Sequence, residues 1–433
     1  MARHAPELNL PLQLPVDESP LRQRIAAAII EQNRLGRLGP GDALPSTRSL
    51  AAGLAVARSS VVEAYDELAA AGYTTARLGS GTRIAAGADT AAHAGAASHV
   101  TASDTTTVLP VAPRQPPAAW DLMPGHPDPG LISTTDWRRA WRAAAAAPVP
   151  ATDAGPHGHV ELRRALAGHL RRARGIVAGP DELIIVPGVA SALRTVTAAA
   201  GLIGRDIAFE EPGYDEARRA FEMSGARTRA VPVDGDGLDP GALRDSDAAV
   251  YCTPAHQYPL GARLPVSRRA QLVQWAARTG SLLIEDDYDG EFRYDVSALP
   301  ALRGIDGGRD YVAYIGTASK ILTPTLRVAW MLPPPGLRGA VADALERSGE
   351  SVCGVTTLAL ARFIESGALT RHLARAARTY SARRSALVGA LGRRCTGIQL
   401  EGVEAGLHVV VRLPDGIDDI AIAATLRARG VTV

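Results

Sequence analysis

Of the 47 basic side chains in this 433-residue sequence, 46 are arginine and one, Lys320, is lysine. A guanidinium is a delocalised, permanently protonated cation and cannot form a Schiff base, whereas an ε-amine can. In a chain that uses arginine wherever a positive charge suffices, the retained amine marks a place for carbonyl chemistry. The plainer reading is a lysine left on a solvated face. Lys320 closes the string Gly316-Thr317-Ala318-Ser319-Lys320, directly after the apolar run 311–315. A second apolar run, 281–284, is followed at once by Glu285-Asp286-Asp287-Tyr288. Three carboxylates at one strand end repel unless a cation faces them. A protonated ring nitrogen is such a cation. Asp286 is assigned to it, with Tyr288 reaching a phenolic oxygen on the same ring. A calcium or magnesium cluster is the competing reading, but the spaced ligands of a cation loop are missing. A third run, 183–186, leads through the turn Pro187-Gly188-Val189-Ala190-Ser191 into a helical segment, and backbone N–H groups at that helix start suit a phosphate. Thr317 and Arg327 flank the lysine and could complete an anion cup. Tyr214, in Glu211-Pro212-Gly213-Tyr214, is placed to stack on a ring; a core tyrosine is the common alternative. An amine, a carboxylate, a stacking aromatic and a phosphate cradle are together what pyridoxal 5′-phosphate needs.

These residues need a scaffold that brings strand ends together. From Trp120 onward, apolar runs at 183–186, 248–251, 281–284 and 311–315 read as buried parallel strands, and an amphipathic stretch at 267–279 reads as a crossover helix. The pattern is α/β, and in an open parallel sheet such groups collect at the carboxyl ends of the strands. The string Thr253-Pro254-Ala255-His256-Gln257-Tyr258-Pro259-Leu260-Gly261 adds polar groups at the same edge. Past Pro333 longer helices are expected at 337–348, 356–364 and 368–391, then a strand at 406–413 and a helix at 417–429.

The first part of the chain is organised differently. Helical periodicity covers 21–30. Ser46 is placed to cap a helix at 47–54, Ala55-Val56-Ala57 makes a short turn, and a helix follows over 58–70 with Val61, Val62, Tyr65 and Leu68 for its core. Two short helices across a tight turn suggest a helix-turn-helix, whose second helix enters the DNA major groove by its N-terminal end. Arg58, Ser59 and Ser60 occupy that end, and Arg48 is placed to hold the backbone. Residues 76–84 read as a two-stranded wing turning at Gly79-Ser80-Gly81. A small helical domain with surface arginines is the plainer reading of the same spacing. Residues 86–118, rich in Ala, Thr, Ser, Gly and Pro without periodicity, read as a linker.

The strings Leu44-Pro45-Ser46-Thr47-Arg48-Ser49-Leu50-Ala51, Val56-Ala57-Arg58-Ser59-Ser60-Val61 and Gly79-Ser80-Gly81-Thr82 resemble the GntR-type winged helix over residues 19–85. This implies that Arg48, Arg58, Ser59 and Ser60 face DNA, with Ser80, Gly81, Thr82 and Arg83 at the minor groove or backbone. Ala57 departs from the pattern, since a hydroxyl residue is common there. The later strings resemble fold type I aminotransferases. Glu285 through Tyr294, Pro254 through Pro259 and Gly316 through Lys320 are similar, more closely, to the MocR/GabR family, which fuses the two parts. The resemblance implies a domain at 17–85, a linker at 86–118 and a fold type I transferase-like domain at 119–433, with a mainly parallel sheet in a large domain and a smaller α+β domain. It implies Lys320 as the aldimine lysine, Asp286 on the ring nitrogen, Tyr288 on the phenolic oxygen, Tyr214 on the ring face, and Val189, Ala190, Thr317 and Arg327 at the phosphate. It also implies a homodimer. Departures fall at Asp153, where a tyrosine reaching the neighbour's phosphate is frequent, and at Ala190-Ser191, where glutamines are. Relatives continue past the point where this sequence stops, so the chain reads as truncated at its C-terminus, and no arginine for a ligand carboxylate is assigned.

Composition narrows the functions further. The apolar share of 46% permits sizeable cores, and a net charge of +2 leaves any DNA contact to a local patch. Cys252, Cys353 and Cys395 are far apart and fit neither a disulfide framework nor zinc spacing, which suits a reducing cytoplasm. No signal peptide and no apolar run of membrane length can be read, so a soluble cytoplasmic protein is expected. The expected function is a DNA-binding regulator that senses an amino compound or the cofactor itself through Lys320, rather than an enzyme. The rival is an aminotransferase with an N-terminal extension, against which the winged helix argues.

Overall fold

The computed structural model describes residues 12–15, 19–77, 81–86, 88, 119–149, 152–294 and 300–433. The chain divides into two compact units, Met1–Gln115 and Pro116–Val433. Apart from residues 86 and 88, the linker expected over 86–118 lies outside the described residues, as does Ser80.

The first unit contains helices α1 (Leu21–Arg34), α2 (Thr47–Leu54) and α3 (Arg58–Ala70), followed by strands β1 (Thr74–Arg77) and β2 (Gly81–Ile84). Ser46 Oγ accepts from Ser49 N–H at 3.1 Å and starts α2. The turn into α3 passes through Ala55 at φ 54°, ψ 42°. This is a left-handed conformation, in which an L side chain crowds its own backbone. Tyr65 Oη donates to the Pro45 carbonyl at 2.8 Å and ties α3 back to the start of α2. Ile25, Ile29, Leu44, Leu50, Val61 and Leu68 are buried together. Val62, expected in this core, is 37% exposed, and Ala64 is buried instead. The helical period explains the exchange: 61, 64, 65 and 68 share one face, and 62 is turned about 100° away from 61. β1 and β2 pair antiparallel as the wing.

The second unit is built on an eight-stranded sheet ordered β4-β11-β10-β9-β8-β5-β6-β7. Before it come a short strand β3 (Trp120–Asp121) and helices α4 (Thr134–Ala145) and α5 (Val160–Arg174). The sheet strands are β4 (Ile184–Val186), β5 (Asp206–Glu211), β6 (Arg227–Asp234), β7 (Gly237–Leu238), β8 (Ala249–Cys252), β9 (Leu282–Asp287), β10 (Val312–Thr317) and β11 (Ala329–Leu332). Helices α6 (Val189–Ala199), α7 (Asp215–Met223), α8 (Val266–Thr279) and α9 (Ala318–Ile321) lie between them in sequence. Five strands run parallel through β10-β9-β8-β5-β6, while β11 and β7 pair antiparallel with their neighbours. Alternation along the strands divides the core between two faces. Tyr251 and Ile284 pack with α6 and α7 residues such as Val196 and Phe221. Val250, Cys252 and Leu283 pack instead with Leu272 and Val273 of α8.

Three acids are expected beyond the end of the apolar run 281–284. Instead β9 continues through Glu285, Asp286 and Asp287, paired with β10 as far as Gly316 opposite Asp287. It can do so because each carboxylate has its own partners, described below. After the sheet come α10 (Arg338–Ser348), α11 (Gly354–Glu365) and the 27-residue α12 (Ala368–Arg394). A small two-stranded sheet, β12 (Gln399–Glu401) with β13 (Val410–Arg412), follows. Then come α13 (Asp419–Ala428) and β14 (Val431–Thr432), which pairs parallel with β3. No helix among the described residues is long and apolar enough to cross a membrane.

Candidate functional site

A cavity of about 220 Å³ opens in the second unit. Its lining includes Lys320, Asp286, Tyr288, Tyr214, Val189, Ala190, Thr317 and Arg327, so the sequence-predicted cofactor residues lie around one space.

Lys320 lies on the short helix α9, immediately after β10. Thr317 caps that helix, its Oγ1 accepting from Ser319 N–H at 3.1 Å. The amine Nζ donates to the Gly125 carbonyl at 3.0 Å. Gly125 has φ 76°, and a Cβ there would stand 3.0 Å from that Nζ, so the residue type keeps room for the amine.

Asp286 is 2% exposed, and one carboxylate oxygen, Oδ2, accepts from Tyr251 Oη at 2.7 Å. The other, Oδ1, is buried with no hydrogen-bond partner. Burial pushes this carboxyl up to about 7, partly offset by the Tyr251 bond and by Lys320. Its neighbours 285 and 287 point to the opposite face of the sheet. Asp287 is held by Arg174, whose Nε donates to Oδ2 at 2.5 Å and Nη2 to Oδ1 at 3.0 Å, and by Tyr314 Oη at 2.7 Å. Glu285 accepts from the N–H groups of Leu302 at 2.8 Å and Arg303 at 3.2 Å. Thus the three acids share no single cation; alternation separates them, and only Asp286 reaches the cavity with an acceptor to spare.

At the other end of the cavity, Gly188 precedes α6 with φ 131°, and a Cβ there would come within 3.2 Å of Arg327 Nη2. Arg327 itself adopts φ 51°. The free N–H groups at the start of α6 and the Arg327 guanidinium thus meet over a residue without a side chain, which is the arrangement of an anion cradle. Tyr214 donates its hydroxyl to Glu216, and its ring meets Tyr258 edge-on at 5.7 Å. Tyr288 Oη lies 3.2 Å from His256 Nδ1.

The set fits pyridoxal 5′-phosphate. The orphaned Asp286 oxygen suits a ring N–H, the glycine-floored cradle suits a phosphate, and the one lysine amine stands in the same cavity. Tyr251, Gly125 and Arg174 are not among the site residues expected from the sequence. Tyr251 carried a usable signal: it lies on β8 beside β9, on the same face as Asp286, as alternation from Ile284 predicts.

In the first unit Arg48, Arg58 and Ser59 are exposed, and Ser60, Thr82 and Arg83 partly so. Arg58 Nε donates to Thr47 Oγ1 at 3.2 Å, bridging the two helices of the motif. No side chain caps α3, where Ala57 holds the cap position and its carbonyl accepts from Ser60 N–H at 3.1 Å. Gly81 is exposed at the start of β2, and Arg83 Nη1 donates to the Gly41 carbonyl at 2.8 Å, bracing the base of the wing.

Comparison with known proteins gives two family matches, bacterial regulatory proteins of the gntR family over residues 21–84 and aminotransferase class I and II over 129–433. The chain is 36% identical over 426 residues to the HTH-type pyridoxine biosynthesis transcriptional regulator PdxR of Corynebacterium glutamicum, covering 98% of this chain and 90% of that protein. It is 30% identical over 425 residues to the probable rhizopine catabolism regulatory protein MocR of Rhizobium meliloti, covering 95% and 85%. Among solved structures, Pyrococcus horikoshii kynurenine aminotransferase matches with a TM-score of 0.66 at 25% identity, over 72% of this chain and 80% of that one.

Proposed function

Because the chain belongs to the MocR/GabR-type regulators, in which a GntR winged helix precedes an aminotransferase class I and II domain, we propose that its cavity holds pyridoxal 5′-phosphate and reports its occupancy to the DNA-reading unit. The observation that carries the proposal is Asp286 Oδ1, a buried acceptor without a partner in the same cavity as the only lysine of the sequence.

In this reading Lys320 presents its amine to the carbonyl carbon, Asp286 accepts from the ring nitrogen, and Tyr214 covers one ring face. Val189, Ala190, Thr317 and Arg327 hold the phosphate, and Tyr288 faces the phenolic oxygen. When bound, the cofactor supplies a reversible carbonyl condensation with amines and an electron sink. Full transamination would further require a held substrate carboxylate and a proton shuttle. The relatives' names as regulators support a sensing role over turnover. The name of the relative PdxR supports the cofactor itself as a sensed compound, with an amino compound as the other effector class.

Effectors act by differential affinity for two conformations of the protein. Arg48, Arg58, Ser59 and Ser60 make up the DNA-reading end of the first unit, with Gly81, Thr82 and Arg83 along the wing and Ser80 assigned to its tip. Over residues 17–85 eight arginines stand against seven aspartates and glutamates, so affinity for one site is modest. Two copies on a pseudo-palindromic operator answer that weakness, and the active species is taken to be a homodimer.

The test is titration of the purified protein onto DNA upstream of its own gene, with and without pyridoxal 5′-phosphate at fixed salt. The expected outcome is specific binding that changes with cofactor, and a visible absorption band that Lys320→Ala abolishes. Arg58→Ala should lose about 1–3 kcal/mol at one base position. Keto-acid release from an amino donor without specific DNA binding would replace the regulator with an aminotransferase.

A further inference from the structure

Next to Tyr288 lie three side chains to which the proposed function gives no role: His256, Asp289 and His408. His256 is 2% and Asp289 1% exposed, and the potential ligand atoms of the three lie within 4.8 Å of one another. A metal is not what the geometry suits. The two imidazole rings stack at 4.6 Å with 28° between their planes. Their in-plane lone pairs therefore run side by side instead of converging on one point. His408 Nε2 is also committed to the Pro259 carbonyl at 2.9 Å.

The arrangement instead fixes a hydrogen. His256 Nδ1 stands 2.9 Å from Asp289 Oδ2 and 3.2 Å from Tyr288 Oη. An ionised carboxylate only accepts, so the nitrogen facing it must carry the hydrogen. Burial raises the Asp289 carboxyl, but the facing His256 imidazole with its hydrogen bond, and the Arg293 guanidinium nearby, outweigh it and hold the group below its usual value. With a hydrogen on Nδ1, the Tyr288 hydroxyl has nothing to donate to there. Its oxygen can only share the imidazole N–H, and its own hydrogen must go elsewhere. Burial, with the carboxylates of Asp289 and Asp286, pushes the phenol well above its usual range, so that hydrogen is retained. Tyr288 lines the cavity with Lys320 and Asp286, so its hydroxyl hydrogen can turn into that space. Gly406 closes over the pair so tightly that a Cβ there would overlap both His256 and Asp289.

We propose that Asp289 and His256 are positioning residues: they lock the imidazole tautomer and so make Tyr288 an obligate hydrogen-bond donor into the cavity, toward an acceptor such as the phenolic oxygen of pyridoxal 5′-phosphate. The proposal rests on the cofactor reading given above.

Asp289→Asn replaces the acceptor with a group whose amide can donate to Nδ1. The imidazole then keeps its hydrogen on Nε2, and Tyr288 no longer faces an N–H that fixes its oxygen as an acceptor. Titrating pyridoxal 5′-phosphate into the full chain, followed by visible absorption, should show affinity about tenfold lower in Asp289→Asn, with the same spectral change as in Tyr288→Phe. The double variant should bind no worse than Tyr288→Phe alone. A band and affinity unchanged by Asp289→Asn but altered by Tyr288→Phe would overturn the proposal and leave the cofactor reading standing, as would full additivity of the two variants. Absence of any band in the unsubstituted chain would overturn both. A second measurement needs no substitution: nitrogen NMR of histidine-labelled protein should show His256 protonated at Nδ1, and an Nε2-only tautomer refutes the relay.

Discussion

Asp287 is a buried carboxylate whose charge is tolerable because Arg174, 113 residues earlier, clamps both its oxygens. Neither side chain of this pair is more than 1% exposed. Truncating one partner of such a pair leaves an uncompensated charge and costs about 3–5 kcal/mol. Arg174→Ala should lower the urea midpoint accordingly, and Arg174→Lys should recover only part of the loss, since an ammonium lacks the two-pronged fork. A midpoint unchanged by Arg174→Ala would refute the pair's part in stabilising the second unit. The pair also marks a boundary of sequence reading. Lys320 and Asp286 were legible because a unique amine and a run of acids stand out against an arginine-rich background. Arg174 was not, since it is one of 46 arginines and nothing local links it to Asp287.

Elements were read well where chemistry marks their ends. Ser46 caps α2, and the bounds of α2 and α3 coincide with those expected. They were read less well where tertiary partners override local preference. β9 runs three residues further than the apolar run that announced it, because Tyr251, Arg174 and two backbone N–H groups accommodate its acids. The expected strand over 406–413 contracts to Val410–Arg412. The turn of the helix-turn-helix held a cost that sequence did not show, with Ala55 in a left-handed conformation. Ala55→Gly should stabilise the first unit by about 1 kcal/mol, read as a higher thermal midpoint with DNA affinity unchanged. A lower midpoint would mean that the extra freedom of glycine in the unfolded chain outweighs the relief.

For the molecule as a whole, three buried carboxyls of the central sheet are a burden on stability. Burial holds Glu210, Glu285 and Asp286 up at about 7, against usual values of 4.5, 4.5 and 3.8. A carboxyl raised on folding favours the folded state fully below its unfolded value, and that contribution is lost as pH climbs through the folded one. Asparagine at 286 stays neutral throughout. Relative to the unsubstituted chain, cofactor-free Asp286→Asn should therefore gain stability between about pH 5 and about pH 8, by denaturant melts, while losing affinity for pyridoxal 5′-phosphate. A pH-independent difference would refute the raised carboxyl. The solitary lysine has a practical corollary. A protease specific for lysine has one bond to cut, Lys320 to Ile321, and Ile321 is 2% exposed within α9. Cleavage there waits on opening of the second unit, so a two-fragment pattern on a gel becomes a clock for that opening, and any ligand that slows it identifies itself without a dye, a label or a substitution.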